Sequence, residues 1–340
     1  MSATATDARL SKTLGALLGV HAGDSLGATL EFIPWSRIKS QYPNGLREII
    51  GGGAFGWAPG AATDDTDLTR AVLLSYHDLE ESKANGAAQG FDIVKQAADY
   101  SLKWMNGPWG DREYGESPMD IGGATSTGLC NYADSKNPRK SGAGSGRAGN
   151  GSLMRCIPTA LFSQSRETRI KESMEISAIT HNDVRCTIAC AAYNEMVAAL
   201  VEGKTTQEAI DIGKDVADEL ECPVVIKAIE RGENDISIIN IAKNGPGRLL
   251  PDSTSGFVLQ SLSVAIAALL DSRPLEDILV DVVRIGGDTD TNGAIAGGLL
   301  GARDGLEAIP ERWASILQYR EEFRSLGTGI LKSQGKVQVN

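Results

Sequence analysis

Glycine recurs at Gly15, Gly19, Gly23 and Gly27 near the start of the chain and again at Gly293, Gly297, Gly301 and Gly305 near its end. Steps of four place each set along one helix face. Each helical glycine costs about 0.8–1 kcal/mol relative to alanine, so each stripe gives up roughly 3–4 kcal/mol of propensity. Something must offset that loss. A face without side chains lets another backbone approach closely. Tight packing against any neighbour accounts for the stripes. A sharper reading is that the two helices pack on each other and set their ends at one site.

The rest of the chain reads as helices too. Val184, Ile188, Ala191, Ala192, Met196 and Leu200 recur at three- and four-residue steps, and similar patterns run through 66–80, 88–104, 205–219, 256–270 and 274–285. Alternating patterns of the strand type are scarce. Gly, Pro, Ser and Asn collect in connections at 51–62, 106–119, 141–152 and 244–256. No repeat and no linker divides the 340 residues, so the expectation is one all-α domain, 1–340, with its core at about 10–325. The stretch 14–32, LGALLGVHAGDSLGATLEF, reads as one helix, interrupted as a membrane span by His21 and Asp24.

Composition narrows the partners. A net charge of −11 opposes a broad phosphate-backbone interface, so nucleic acid is not expected. Five cysteines form no CxxC pair and three histidines leave few soft ligands for zinc, which fits reduced thiols and a cytoplasmic or nuclear location. The N-terminus has no signal-type apolar core, and no membrane association is expected.

Chemistry concentrates in two segments. Thr63-Asp64-Asp65-Thr66-Asp67 precedes one amphipathic pattern, and Asp288-Thr289-Asp290-Thr291 precedes the second glycine stripe. Either alone is an ordinary acidic helix start, with Thr63 or Thr289 as N-cap. Two of them are harder to dismiss. If the helix ends converge, four or five carboxylates share a small volume without a local Lys or Arg, and they cannot all stay ionised without a counter-charge. Oxygen-only ligands suit hard divalent cations, Mg²⁺ first and Mn²⁺ after it. Six Asp and Thr side chains exceed what one octahedral Mg²⁺ takes, so two ions are expected.

With GDSLG at 23–27, TDDT at 63–66, MDIGG at 119–123, GNGSLMR at 149–155, THND at 180–183 and GGDTDTN at 286–292, the chain resembles the ADP-ribosylglycohydrolases. That family includes the dinitrogenase reductase-activating glycohydrolase and the ADP-ribosylarginine and ADP-ribosylserine hydrolases. The segments run in family order over most of the chain. The resemblance implies a compact helical fold with a binuclear Mg²⁺ centre that cleaves the bond at C1″ of the distal ribose in an ADP-ribose conjugate. It implies metal ligation by Thr63, Asp64, Asp65, Asp288, Asp290 and Thr291, with Asp65 counted also in the catalytic group. Glu31 matches a glutamate at or near the metals, read as gate or ligand, and Asp120 matches an aspartate that activates the water in some members.

The pyrophosphate calls for donors rather than metal. Gly149, Asn150, Gly151 and Ser152 offer backbone N–H groups as an anion nest entering a helix LMRCIPTALF, and His181 matches a histidine close to bound ADP-ribose. The GxGxxG at 144–149 follows no strand, so a dinucleotide-binding reading fails. His21 and His77 read as structural. Loop 105–118, with Trp109 and Tyr114, either shapes the leaving-group side or is an insertion. The expected substrate is ADP-ribose on a protein side chain such as arginine or serine, acted on by a monomer. The alternatives are ADP-ribose-1″-phosphate or O-acetyl-ADP-ribose, and a non-catalytic ADP-ribose binder.

Overall fold

A computed structural model of the chain describes residues 3–110, 112–250 and 256–337, and no strand forms among them beyond four isolated bridges. The glycine stripes meet. A Cβ added at Gly15 would lie 2.6 Å from the Gly301 carbonyl oxygen, one at Gly19 2.2 Å from that of Gly297, and one at Gly23 2.0 Å from that of Gly293. The pairing sums to an antiparallel contact of bare backbones, between the helices Ala3–Gly27 and Thr289–Asp304. No side chain larger than hydrogen fits there. The end of the first helix is thereby held at the start of the other, where Thr289 Oγ1 donates to the Gly27 carbonyl at 2.7 Å.

Other helices wrap this pair. Val184–Val201 and Val258–Leu270 are nearly all buried, and one contiguous apolar core runs from Leu17 through Val197 and Leu262 to Leu299 and Leu331. Val184–Val201 is long and apolar enough to cross a membrane, but 89% of it is buried against the rest of the chain. Helix starts follow their capping residues. Asp92 accepts from the N–H of Val94 and Lys95, and Ser165 and Thr205 form capping boxes with Thr168 and Glu208.

Four local expectations need correction. The helix read over 14–32 ends at Gly27, where a Cβ would lie 2.3 Å from the Thr289 carbonyl oxygen, and turns carry the chain on through Phe32. The helix expected from Leu153 starts at Ile157, since the turn before it is taken up by Asn150, whose carbonyl accepts from the N–H of Leu153 and Met154. The cap before the second glycine stripe is Asp288, and Thr289 lies inside the helix. Gly305 follows that helix with a left-handed φ of 85° rather than belonging to it. Part of the 244–256 connection, and Asp111 of loop 105–118, lie outside the described residues.

Candidate active site

The helix Asp64–Ala84 starts at Thr63, whose Oγ1 accepts from the Asp65 N–H and lies 3.2 Å from Asp65 Oδ2. What fixes this start is a residue from the first helix. Asp24 Oδ2 accepts from the backbone N–H of Thr63 at 3.1 Å and of Thr66 at 3.3 Å, and from the Thr66 hydroxyl. The only local sign of this role in the sequence is a carboxylate, Asp24, on an otherwise apolar helix. Across the site, Thr291 Oγ1 reaches Asp65 Oδ2 at 3.5 Å, and Asn150 Nδ2 donates to Asp288 Oδ2 at 2.7 Å. The two acidic segments are therefore one cluster.

A cavity of about 280 Å³ opens on it. Glu31, Asp64, Asp120, Gly149, Asn150, Gly151, His181, Asp288, Asp290 and Thr291 all line it. Thr63 and Asp65 lie behind, and Ser152 lies apart, its hydroxyl accepting from Ser177 at 2.9 Å. Phe32 also lines the cavity with a left-handed φ of 61°, a costly conformation for a bulky residue that turns the chain immediately after Glu31.

The cluster is short of positive charge. Asp24 Oδ1, Glu31 Oε2, Asp65 Oδ1 and Asp290 Oδ1 are buried without a hydrogen-bond partner. Asp67, by contrast, is satisfied by Trp104, Trp109 and Tyr319, and takes no part in this deficit. Burial first, then repulsion by neighbouring carboxylates, holds Asp64, Asp65 and Asp290 well above the usual carboxylate range. Burial pushes Asp24 up to about 7, and burial with Asp120 and Asp288 pushes Glu31 up to about 8. Glu31, Asp120 and Asp290 each offer an oxygen within 4.8 Å of the others. Unbonded, oxygen-only, acidic: the donor set fits a hard divalent cation.

The opposite wall donates. The helix Gly123–Ser135 begins at Gly122 with no side-chain cap, and Gly122, Gly123, Ala124 and Thr125 line the cavity. Its first backbone N–H groups have no intrahelical partner and suit an anion. Sequence reading placed the anion seat at 149–152 alone. There the Asn150 N–H is occupied by the Gly256 carbonyl, and the Gly122–Thr125 helix start adds further donors. The Gly-Gly pair after MDI was the available signal.

His181 is oriented by a chain of hydrogen bonds. Arg155 is buried and only donates, giving its Nη2 hydrogen to Thr180 Oγ1 at 2.7 Å. Thr180 Oγ1 lies 2.8 Å from His181 Nδ1, and with the hydroxyl donating there the imidazole proton stands on Nε2. A Cβ at Gly149 or Gly151 would lie 3.2 Å from that Nε2, so the donor faces the glycine stretch. Burial, with the Arg155 charge, lowers His181 to about 3 and keeps it neutral.

The sequence profile described as ADP-ribosylglycohydrolase matches residues 5–339. The chain is 28% identical over 314 residues to the ADP-ribosyl-[dinitrogen reductase] glycohydrolase of Rhodospirillum rubrum, covering 92% of each. It is 26% identical to the ADP-ribosylarginine hydrolase Tri1 of Pseudomonas putida, over 93% of this chain and 77% of that one. A solved structure titled ADP-ribosylglycohydrolase-related protein complex aligns with a TM-score of 0.74 at 27% identity, over 96% of this chain and 99% of that one.

Proposed function

We propose a function from one premise: the chain belongs to the ADP-ribosylglycohydrolase family. It is a glycosidic hydrolase. On our reading it cleaves the bond between C1″ of ADP-ribose and a protein side chain, arginine or serine, with divalent cations, Mg²⁺ first, at the acidic cluster. The four unbonded carboxylate oxygens in that cluster carry the reading.

Thr63, Asp64, Asp65, Asp288, Asp290 and Thr291 would hold the cations. When bound, they would supply an acidified water and a hold on the ribose hydroxyls. The chain's own groups do the rest. The uncapped helix start at Gly122–Thr125 and the Gly149–Gly151 backbone seat the pyrophosphate, with the His181 Nε2–H directed at the same stretch. Asp120 is only partly buried and lies within reach of Glu31 and Asp290, which suits it to take the proton from the attacking water. Glu31, turned in by the strained Phe32, closes the wall beside it. Water's oxygen bonds to C1″, and the departing atom keeps the electron pair and gains the proton.

The test is a panel of α-linked substrates, ADP-ribosyl-arginine, ADP-ribosyl-serine, ADP-ribose-1″-phosphate and O-acetyl-ADP-ribose, assayed with and without Mg²⁺. Asp64→Ala and Asp288→Ala serve as blanks. Release from at least one substrate, dependent on cation and lost in both variants, is expected; release from none refutes the reading.

A further inference from the structure

A second cavity, of about 180 Å³, shares Asp64 and Asp120 with the first as a common wall. Its other walls are unlike those of the first, because Trp57, Trp104, Trp109, Met119 and Tyr319 replace glycine and backbone. We propose that this aromatic cavity is the leaving-group pocket and that it selects a planar cation, a guanidinium, over a hydroxyl leaving group. The inference rests on the hydrolase reading above, with ADP-ribose in the glycine-lined cavity and C1″ at the shared wall.

Three observations support it. The volume suits a planar group of roughly one ring, since a cavity of about 150 Å³ holds benzene, whereas a serine hydroxyl would leave most of it unfilled. Its polar lining is acidic: Asp64, Asp67 and Asp120 face Arg112 as the lining cation, whose guanidinium is directed to the carbonyls of Trp104 and Glu116, and with Asp64 given to the metal, Asp67 and Asp120 remain for a bound cation. Aromatic faces attract a cation: Arg70, which does not line the cavity, stacks over the rings of Trp109 and Tyr319, and Arg112 lies over Trp104.

The walls are held rigid from the catalytic helix itself. Asp67, in the first turn after Asp64 and Asp65, accepts from Trp104 Nε1 at 2.9 Å and from Trp109 Nε1 and Tyr319 Oη at 2.8 Å each. Asp67 and Trp109 are thus positioning residues that tie loop 105–118 to the acidic turn. In the step itself water gives OH to C1″ and a proton to the departing nitrogen, which keeps the bond's electron pair. The products are free ADP-ribose and arginine.

The measurement is the ratio of kcat/KM for ADP-ribosyl-arginine to that for ADP-ribosyl-serine peptides, in wild type, Met119→Trp and Trp109→Phe. Met119 is 56% exposed, so the larger side chain fills the cavity mouth without entering the core. Trp109→Phe keeps one aromatic ring but loses the bond to Asp67 together with part of the buried indole's packing. A wild-type ratio above one that falls at least tenfold in Met119→Trp, and falls also in Trp109→Phe, is expected. A ratio below one in wild type, or unchanged in Met119→Trp, overturns the pocket's role while the hydrolase reading stands. Wild type inert on both substrates but active on another of the panel removes this inference alone, and wild type inert on all four removes the hydrolase reading with it.

Discussion

At the scale of single residues, the same carboxylate chemistry has opposite consequences two positions apart. Asp67 has three donors and is structural, whereas Asp65 and Asp290 are buried with an oxygen unpaired. Replacing Asp290 by Asn removes a buried carboxyl that the metal-free protein can ionise only at a cost. We expect Asp290→Asn to melt higher than wild type in chelator, to lose its Mg²⁺-induced rise in Tm, and to lose activity by about 10²–10³-fold. Calorimetry with and without Mg²⁺ checks all but the last. His21 is the second case. Its Nε2 accepts from the Tyr319 N–H at 3.3 Å, so the proton sits on Nδ1 and is given to Ser25 Oγ, which in turn donates to the Ala61 carbonyl. Burial lowers its pKa from 6.5 to about 4. A lowered histidine adds stability above its unfolded pKa and loses it as pH falls from about 6.5 toward 4. The full effect is about 3 kcal/mol. Denaturant unfolding of wild type and His21→Gln at pH 7 and 4.5 should show the wild type losing more on acidification by up to that amount. Equal losses would mean that the imidazole takes up its proton without resistance.

At the scale of elements, two glycines on helices make a controlled pair. A Cβ at Gly297 would lie 2.1 Å from the Gly19 carbonyl oxygen, while at Gly329, in the helix Arg320–Ser333, it would meet nothing within 4 Å. Gly329→Ala gains helix propensity and should stabilise by about 0.5–1 kcal/mol. Gly297→Ala gains the same propensity but drives two backbones apart, and overpacking of this kind costs about 1–3 kcal/mol or more. Opposite signs of the Tm change are expected. Because the first helix also delivers Asp24 to the acidic turn, Gly297→Ala should weaken Mg²⁺ binding as well as the fold. The chain showed the stripes and most helices plainly, from 66–80 to 274–285. It hid some of their bounds, since the first helix ends at Gly27 against the Thr289–Asp290 backbone and another starts at Ile157, after the Asn150 turn.

At the scale of the whole molecule, the acidic centre makes stability depend on pH in the direction opposite to that set by His21. Carboxyls whose folded pKa is raised, to about 7 for Asp24 and about 8 for Glu31, favour the folded state while protonated. That contribution is present at low pH and is lost as pH rises through the folded values. In chelator, Tm should therefore decline between pH 5.5 and 8, and Mg²⁺ should raise it more at pH 8 than at pH 5.5. A metal effect independent of pH would separate the cation from these carboxyls.

Sequence alone determined the elements of this protein and the chemical kind of its centre. Helical periodicity and glycine spacing are local properties, and Thr-Asp-Asp beside Asp-Thr-Asp-Thr specifies oxygen donors whatever the fold around them. Tertiary structure decided which of those donors are short of a partner. Asp24 and Asp67 look alike in the chain, yet one braces the acidic turn and the other clamps the aromatic wall. The Gly122-Gly123 pair and Trp109 are visible in the chain, but that one opens an uncapped helix into the cavity and the other walls a second cavity is decided only by the packing. Hydrogen-bond satisfaction and enclosed volume arise only between segments far apart in sequence, so no local pattern encodes them.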